Sequence, residues 1–263
     1  MAAGHKPERM FSQVTYNCEQ CQDTGYIIKT IMVPEYDLKT PVEFAVQCPK
    51  CIGKRRVFDD TGIPETYFGA DLYHFDFSKY QADMAKIRKM ATSFFTEYQK
   101  LWEPENKGLY LWSNESGSGK TLLACCLAKS IMIKYNLQMR FISHAEYITQ
   151  RMEDIERRKH NIEPLTEVYK SCDLLVLDDL GTAKKGTYQE QCLFELLDIR
   201  MKNQKMTIFT SNKLYYDLGL DKRTENRIES LAFPLHFPEE SIRRKISENK
   251  NRNFIERILK EPK

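Results

Sequence analysis

The 263-residue chain predicts an α/β fold, a mostly parallel five-stranded sheet that carries a phosphate-binding loop and is preceded by a small zinc ribbon. Three observations predict it. Gly108-Leu-Tyr-Leu-Trp-Ser-Asn-Glu-Ser-Gly-Ser-Gly-Lys-Thr121 reads as a buried strand, a tight loop and the start of a helix, the order that a phosphate cradle requires. Leu174-Leu-Val-Leu-Asp-Asp179 is an apolar run ending in two carboxylates. Such a run is a strand buried on both faces of a parallel sheet, its acids emerging at the carboxyl end where ligands bind. Cys18-x-x-Cys21 and Cys48-x-x-Cys51 have the spacing of two metal-binding knuckles.

Composition excludes some classes. Apolar residues make up 41% and charged residues 29%, as in ordinary globular proteins. No apolar run approaches the roughly 18 residues of a membrane span, so no membrane partner is expected. The start Met-Ala-Ala-Gly-His-Lys-Pro lacks an apolar signal core, and the expected location is the cytoplasm. A formal net charge of +3 is too small to mark a nucleic-acid binder, for which a local basic face matters more.

The N-terminal element is the ribbon. In a cytoplasmic chain, paired CxxC knuckles imply one tetrahedral Zn²⁺ held by Cys18, Cys21, Cys48 and Cys51. A redox role needs only one pair, and four thiolates leave no open position for catalysis, so the zinc is structural. Between the knuckles, 26–33 and 42–46 are β-branched segments that form a strand pair. Lys50, Lys54, Arg55 and Arg56 offset the charge of the thiolates. The remaining cysteines, Cys125, Cys126, Cys172 and Cys192, lie in apolar segments and read as small buried hydrophobes. Periodicity lapses from Lys54 to Gly69, which carries Gly62 and Pro64, so the expected division is 1–55 zinc-binding domain, 56–74 linker and 75–263 ATPase domain.

Ser78 reads as the N-cap of a helix from Lys79 to Trp102. The phosphate loop follows. Backbone N–H groups of Ser116, Gly117, Ser118, Gly119, Lys120, Thr121 and Leu122 face the phosphates, Lys120 supplies charge to the β and γ oxygens, and the Thr121 hydroxyl sits on Mg²⁺. Asn114 stands where the loop pattern has Gly; Asn best tolerates positive φ, so the loop still turns. Strand 139–143 ends at Ser143, which caps a polar helix to about Asn161. Its Arg151, Arg157, Arg158 and Lys159 read first as a solvated face and second as a nucleic-acid contact. Asp178 is placed to hold Mg²⁺ and Asp179 to orient the attacking water. Thr187-Tyr-Gln-Glu190 reads as a capping box, and strand 207–212 brings Asn212 beside the two aspartates. A last strand at 233–238 leaves room for one further helix.

A variant Walker A loop, Leu-Leu-Val-Leu-Asp-Asp and a strand ending Thr-Ser-Asn, behind Cys-x-x-Cys-x-Asp-Thr-Gly-Tyr, resemble the AAA+ helicase loaders of the bacterial DnaC/DnaI type. The similarity covers most of the chain, including Ile63-Pro-Glu-Thr-Tyr-Phe and Phe75-Asp, which look like the run into the adenine pocket. The resemblance implies ATP as ligand, Lys120 and Thr121 as Walker A, Asp178 and Asp179 as Walker B, and Asn212 as first sensor. Arg227 looks like the arginine finger that reaches a neighbouring copy's ATP, and Arg243 like the second sensor, with a reduced lid. Asp179 stands where many AAA+ proteins have Glu, which points to slow, switch-like hydrolysis. The function implied is loading of a replicative helicase onto single-stranded DNA by an ATP-dependent oligomer, with the ribbon gripping the helicase. Three competitors are a transposition helper ATPase of the IstB type, a RecA-like repair ATPase with a zinc ribbon of the RadA type, and a nucleotide-sensing adaptor without turnover.

Overall fold

The computed structural model describes residues 18–21, 26–31, 42–50, 61–70, 72, 75–183 and 186–260. Strands β1 (Tyr26–Ile31) and β2 (Val42–Gln47) form an antiparallel pair, with Tyr26 opposite Gln47 and Ile31 opposite Val42. The main sheet contains β3 (Gly108–Trp112), β4 (Met139–Ser143), β5 (Leu174–Leu180), β6 (Met206–Ser211) and β7 (Ala232–His236). Its order is β4-β5-β6-β3-β7 and every pairing is parallel. The sheet expected from the sequence is present, with strand ends within two residues of those expected.

Because side chains alternate across a strand, the continuous apolar runs feed two cores. Leu109, Leu111, Leu174, Val176 and Ile208 face one cluster, closed by α1 (Ala85–Thr96) and α2 (Lys120–Tyr135). Tyr110, Leu175, Leu177 and Phe209 face the other, closed by α3 (His144–Lys159), the short α4 (Glu167–Ser171), α5 (Thr187–Lys202) and α6 (Lys222–Leu231). Among the described residues, α7 (Ile242–Lys260) is the helix that follows the sheet. Its base is tied down by Glu240, whose carboxylate accepts from the backbone N–H groups of Gln81 and Ala82 and from Lys245 Nζ at 2.6–3.1 Å.

Residues 61–70 join the strand pair to this body. Phe141 N–H donates to Thr61 O at 2.7 Å, so the segment runs beside β4. Lys129 of α2 is only 1% exposed and donates to the carbonyls of Tyr67 (3.1 Å), Phe68 (2.6 Å) and Ala70. Tyr26 of β1 belongs to the first core cluster, donates its hydroxyl to Phe68 O at 2.7 Å and places its ring 5.3 Å from the Lys129 ammonium.

Two local expectations differ from the structure. The segment 79–102 is not one helix: a 3₁₀ turn at Phe77–Lys79 is capped by Asp76, α1 begins at Ala85, and a π turn covers Tyr98–Trp102. Asp76 Oδ1 accepts from Ser78 N–H at 3.0 Å, so Ser78 is the capped residue rather than the cap. In α5, Thr187 is the first helical residue, its N-cap is Gly186, and no side chain caps it, so the capping box does not form.

Candidate nucleotide-binding site

The site sits at the carboxyl ends of β3, β5 and β6, where α2 begins. A cleft of about 670 Å³ is lined by the loop residues Ser116 to Leu122, by Asp178, Asp179, Asn212 and Arg243, and by Pro64, Thr66 and Tyr67. All the loop residues expected from the sequence therefore meet both aspartates, Asn212 and Arg243. Arg227 lies elsewhere: its Nε donates to Asp198 on α5 at 3.0 Å and its guanidinium sits 5.5 Å from the Phe194 ring.

The loop is shaped by close approaches. Gly119 has φ of +95°, and a Cβ there would run into the Tyr80 hydroxyl, which donates to Ser118 O at 2.6 Å. Lys120 Nζ donates to Glu115 O at 3.0 Å and Ser118 Oγ at 3.1 Å, which places it at the N-terminus of α2. Burial lowers its pKa, and the carboxylates of Asp179, Glu239, Asp178 and Glu115 oppose that. Thr121 Oγ1 donates to Asp178 Oδ1 at 2.8 Å, so the two groups expected to share Mg²⁺ are adjacent. A compact pair of oxygen donors at a phosphate loop is the donor chemistry Mg²⁺ takes.

A β-bulge aims the acids. Leu177 pairs with Phe209 and Leu180 with Ser211, so Asp178 and Asp179 together oppose Thr210 alone. Thr210 Oγ1 donates to Asp178 Oδ1 at 2.6 Å and accepts from Asp179 N–H at 2.9 Å. Asp179 itself lies in the left-handed region at φ of +49°. Burial raises the pKa of Asp178, the bond from Thr210 lowers it, and the Asp179 charge raises it again. A site of this kind gains most from a bound cation.

Asn114 does a different task from the one its residue type indicates. It is not among the residues with positive φ. Its backbone N–H and its Nδ2 donate to Glu239 Oε1 at 3.1 and 3.3 Å, while Ser113 Oγ donates to Glu239 Oε2 at 3.2 Å. The loop is thus moored to the segment before α7. At its other end, Arg243 N–H donates to Gly117 O at 3.1 Å, and its side chain lines the cleft together with Tyr67. Thr210, Tyr80 and Glu239 were not legible as site residues. Only the Thr-Ser-Asn context of Thr210 carried a signal.

The basic helix face is largely occupied. Arg151 is paired with Glu195 at 2.8 Å with its side chain 11% exposed, Arg157 Nε donates to Glu163 O, and Lys159 pairs with Glu156. Arg151 therefore supports the α3–α5 contact instead of facing solvent.

In the N-terminal pair, Cys18, Cys21 and Cys48 are buried and their sulfurs lie within 4.8 Å of one another. Cys18 Sγ and Cys48 Sγ are 3.9 Å apart, close to the ~3.8 Å edge of a tetrahedron with ~2.3 Å Zn–S bonds. These three residues fit a zinc ion; Cys51 lies outside the described residues.

Sheet order, loop and acids together define a nucleotide-binding α/β protein of the AAA+ P-loop class. The chain belongs to the family of IstB-like ATP binding proteins, whose sequence model matches residues 53–219. A replicative helicase loader DnaC of Buchnera aphidicola subsp. Acyrthosiphon pisum is 25% identical over 166 residues, covering 62% of this chain and 63% of the relative. The chain thus spans somewhat less than two thirds of the length of that relative. A crystal structure of DnaI superposes with a TM-score of 0.57 at 25% identity, covering 68% of this chain and 96% of that one. The crystal structure of the DnaC helicase loader shares the fold, with a TM-score of 0.54 at 22% identity over 66% of this chain and all of that one. Among the described residues no helix is long and apolar enough to cross a membrane.

Proposed function

We propose that the protein is an ATP-dependent loader of a replicative hexameric helicase onto single-stranded DNA, with ATP binding and hydrolysis as its switch. The observation that carries this reading is the convergence of Lys120, Thr121, Asp178, Asp179, Asn212 and Arg243 on one cleft, in a chain similar to a replicative helicase loader.

The roles follow from the chemistry. N–H groups of the loop and the Lys120 ammonium hold the phosphates. Thr121 and Asp178 would hold Mg²⁺, which when bound neutralises charge on the β and γ oxygens. Asp179 orients and polarises the attacking water, Asn212 fixes its position, and Arg243 senses the γ-phosphate from the base of α7. Arg227 serves a neighbouring copy, so turnover requires an ATP-dependent oligomer. We assign 1–55 to a zinc-binding, helicase-gripping domain, 56–74 to the approach to the adenine pocket and 75–263 to the ATPase domain, all acting in the cytoplasm.

Co-purification with the replicative helicase, combined with ATP turnover measured with and without single-stranded DNA, tests the reading. Helicase capture through the ribbon and turnover that responds to DNA are expected. Capture of a transposase in place of the helicase would favour the transposition-helper reading, which the IstB-like family match keeps in view. Helicase capture without turnover would leave an adaptor.

A further inference from the structure

The turn that carries Asp179 is held on one side by Thr210 of β6, and its other side is held by a residue that no motif contains. Asp179 lies at φ of +49° and Gly181 at φ of +96°. Thr182 closes the turn, its N–H and its Oγ1 donating to Asp179 O at 3.2 and 2.8 Å. Gly181 N–H donates to His144 Nδ1 at 3.2 Å.

His144 is the first residue of α3. It follows Ser143, which pairs with Asp178 in the β4–β5 register and caps α3 by accepting from Glu146 N–H at 3.2 Å. The ring is therefore fixed by the same strand end that adjoins the acids. It is 5% exposed, and burial lowers its pKa to about 4, so it is neutral at physiological pH. Because Nδ1 accepts, the proton is on Nε2. That Nε2 is buried and has no hydrogen-bond partner among the described residues. Leaving a buried donor unmatched is a cost that an apolar side chain of similar size would avoid. What the imidazole supplies and an apolar ring cannot is the acceptor for Gly181 N–H.

We infer that His144 is a positioning residue: through Gly181 it holds the Asp179–Thr182 turn in the conformation that aims the Asp179 carboxylate into the nucleotide cleft. The inference rests on the role given above to Asp179, and it adds that the start of α3 and the aim of Asp179 are mechanically one unit. A loosened turn leaves the phosphate cradle intact, because Lys120 is held within its own loop and Asp178, which accepts from Thr121, is itself held by Thr210. The expected phenotype is a defect in turnover at unchanged ATP affinity.

The test uses the full chain and three variants. His144→Phe keeps an aromatic ring without the acceptor, His144→Asn places an amide oxygen near the Nδ1 position, and His144→Gln places it near the Nε2 position. For Phe and Gln we expect kcat to fall by about tenfold or more, since small misplacements of catalytic groups have effects of that order, with ATP affinity within about twofold of wild type. His144→Asn should recover most of the loss. The second measurement is independent of turnover. Amide exchange at Gly181 should be slow in the wild type and in Asn, and fast in Phe and Gln, and the imidazole nitrogen resonances should report the Nε2–H tautomer. A Phe variant with wild-type Gly181 protection and wild-type kcat overturns the inference, as does a wild-type ring protonated on Nδ1. A wild-type protein that binds ATP without turnover would remove hydrolysis from the proposed function, while the exchange and tautomer data would still decide whether His144 sets the turn.

Discussion

Lys120 and Asp179 face the same cleft, and the proposed function gives them different tasks there. Lys120 is buried beside the loop, where its proposed task is to hold the phosphates in the ground state. Asp179 occupies a strained turn opposite Thr210, and its proposed task is to orient the attacking water. Lys120→Ala should therefore weaken ATP binding by roughly tenfold or more, whereas Asp179→Asn should bind ATP normally and lose at least about a hundredfold in turnover. Equilibrium binding of a fluorescent ATP analogue and single-turnover kinetics separate the two. An identical binding defect in both variants would refute this division of labour.

At the scale of an element, α7 is attached mainly through its base. Glu240 accepts from Lys245 and from Gln81 and Ala82 N–H, and those bonds lower its pKa from 4.5 to about 2. A carboxyl whose folded value is depressed contributes stability that is complete above its unfolded value and is lost as pH falls through its folded value. Glu240→Gln should thus cost stability at neutral pH, on the order of 1–2 kcal/mol for charge-assisted bonds at a partly shielded site. That difference from wild type should shrink between pH 4.5 and pH 2. Denaturant titrations at several pH values check it, and a pH-independent difference would show that the carboxylate acts only through its shape. Because Arg243 lies three residues further on and touches Gly117, loss of the anchor should also weaken nucleotide binding.

Two couplings act across the whole molecule. The strand pair β1–β2 docks on α2 through Tyr26, Phe68 and Lys129. Replacing Cys48 with Ser should release about one equivalent of zinc and disorder the ribbon, with the ATPase body surviving but melting a few degrees lower because Tyr26 loses its support. Zinc content and calorimetry read this, and full zinc retention in a Cys18/Cys48 double variant would overturn the ligand assignment. The second coupling concerns Arg227, held by Asp198 within its own chain. If it acts on a neighbour's ATP, Arg227→Ala should keep ATP binding, lose turnover by several orders of magnitude and regain part of it when mixed with Lys120→Ala subunits. No rescue in the mixture, with wild-type activity in a monomer, would remove the trans role.

The sequence by itself determined the parallel sheet, the phosphate loop, the two aspartates, Asn212 and the knuckle spacing of the cysteines. These are written in short continuous stretches, where backbone periodicity and local order dictate which groups emerge at one end of a strand. Only the tertiary structure decided what holds those groups in place. Asn114 looks like a residue chosen for backbone freedom, but its partner is Glu239, far along the chain. Arg151 and Arg227 look like free cations until the fold brings Glu195 and Asp198 beside them. Arg200, a charged residue in register with the apolar Leu193, Leu196 and Leu197 of α5, is fully buried and hydrogen-bonds Thr207 and the carbonyls of Tyr169, Cys172 and Met206. His144 at the start of α3 and Thr210 of β6 meet the Asp179 turn from two different elements. The physical reason is common to all of them: a charge or a hydrogen bond is satisfied by whatever group lies within about 3 Å, and sequence separation does not encode that distance.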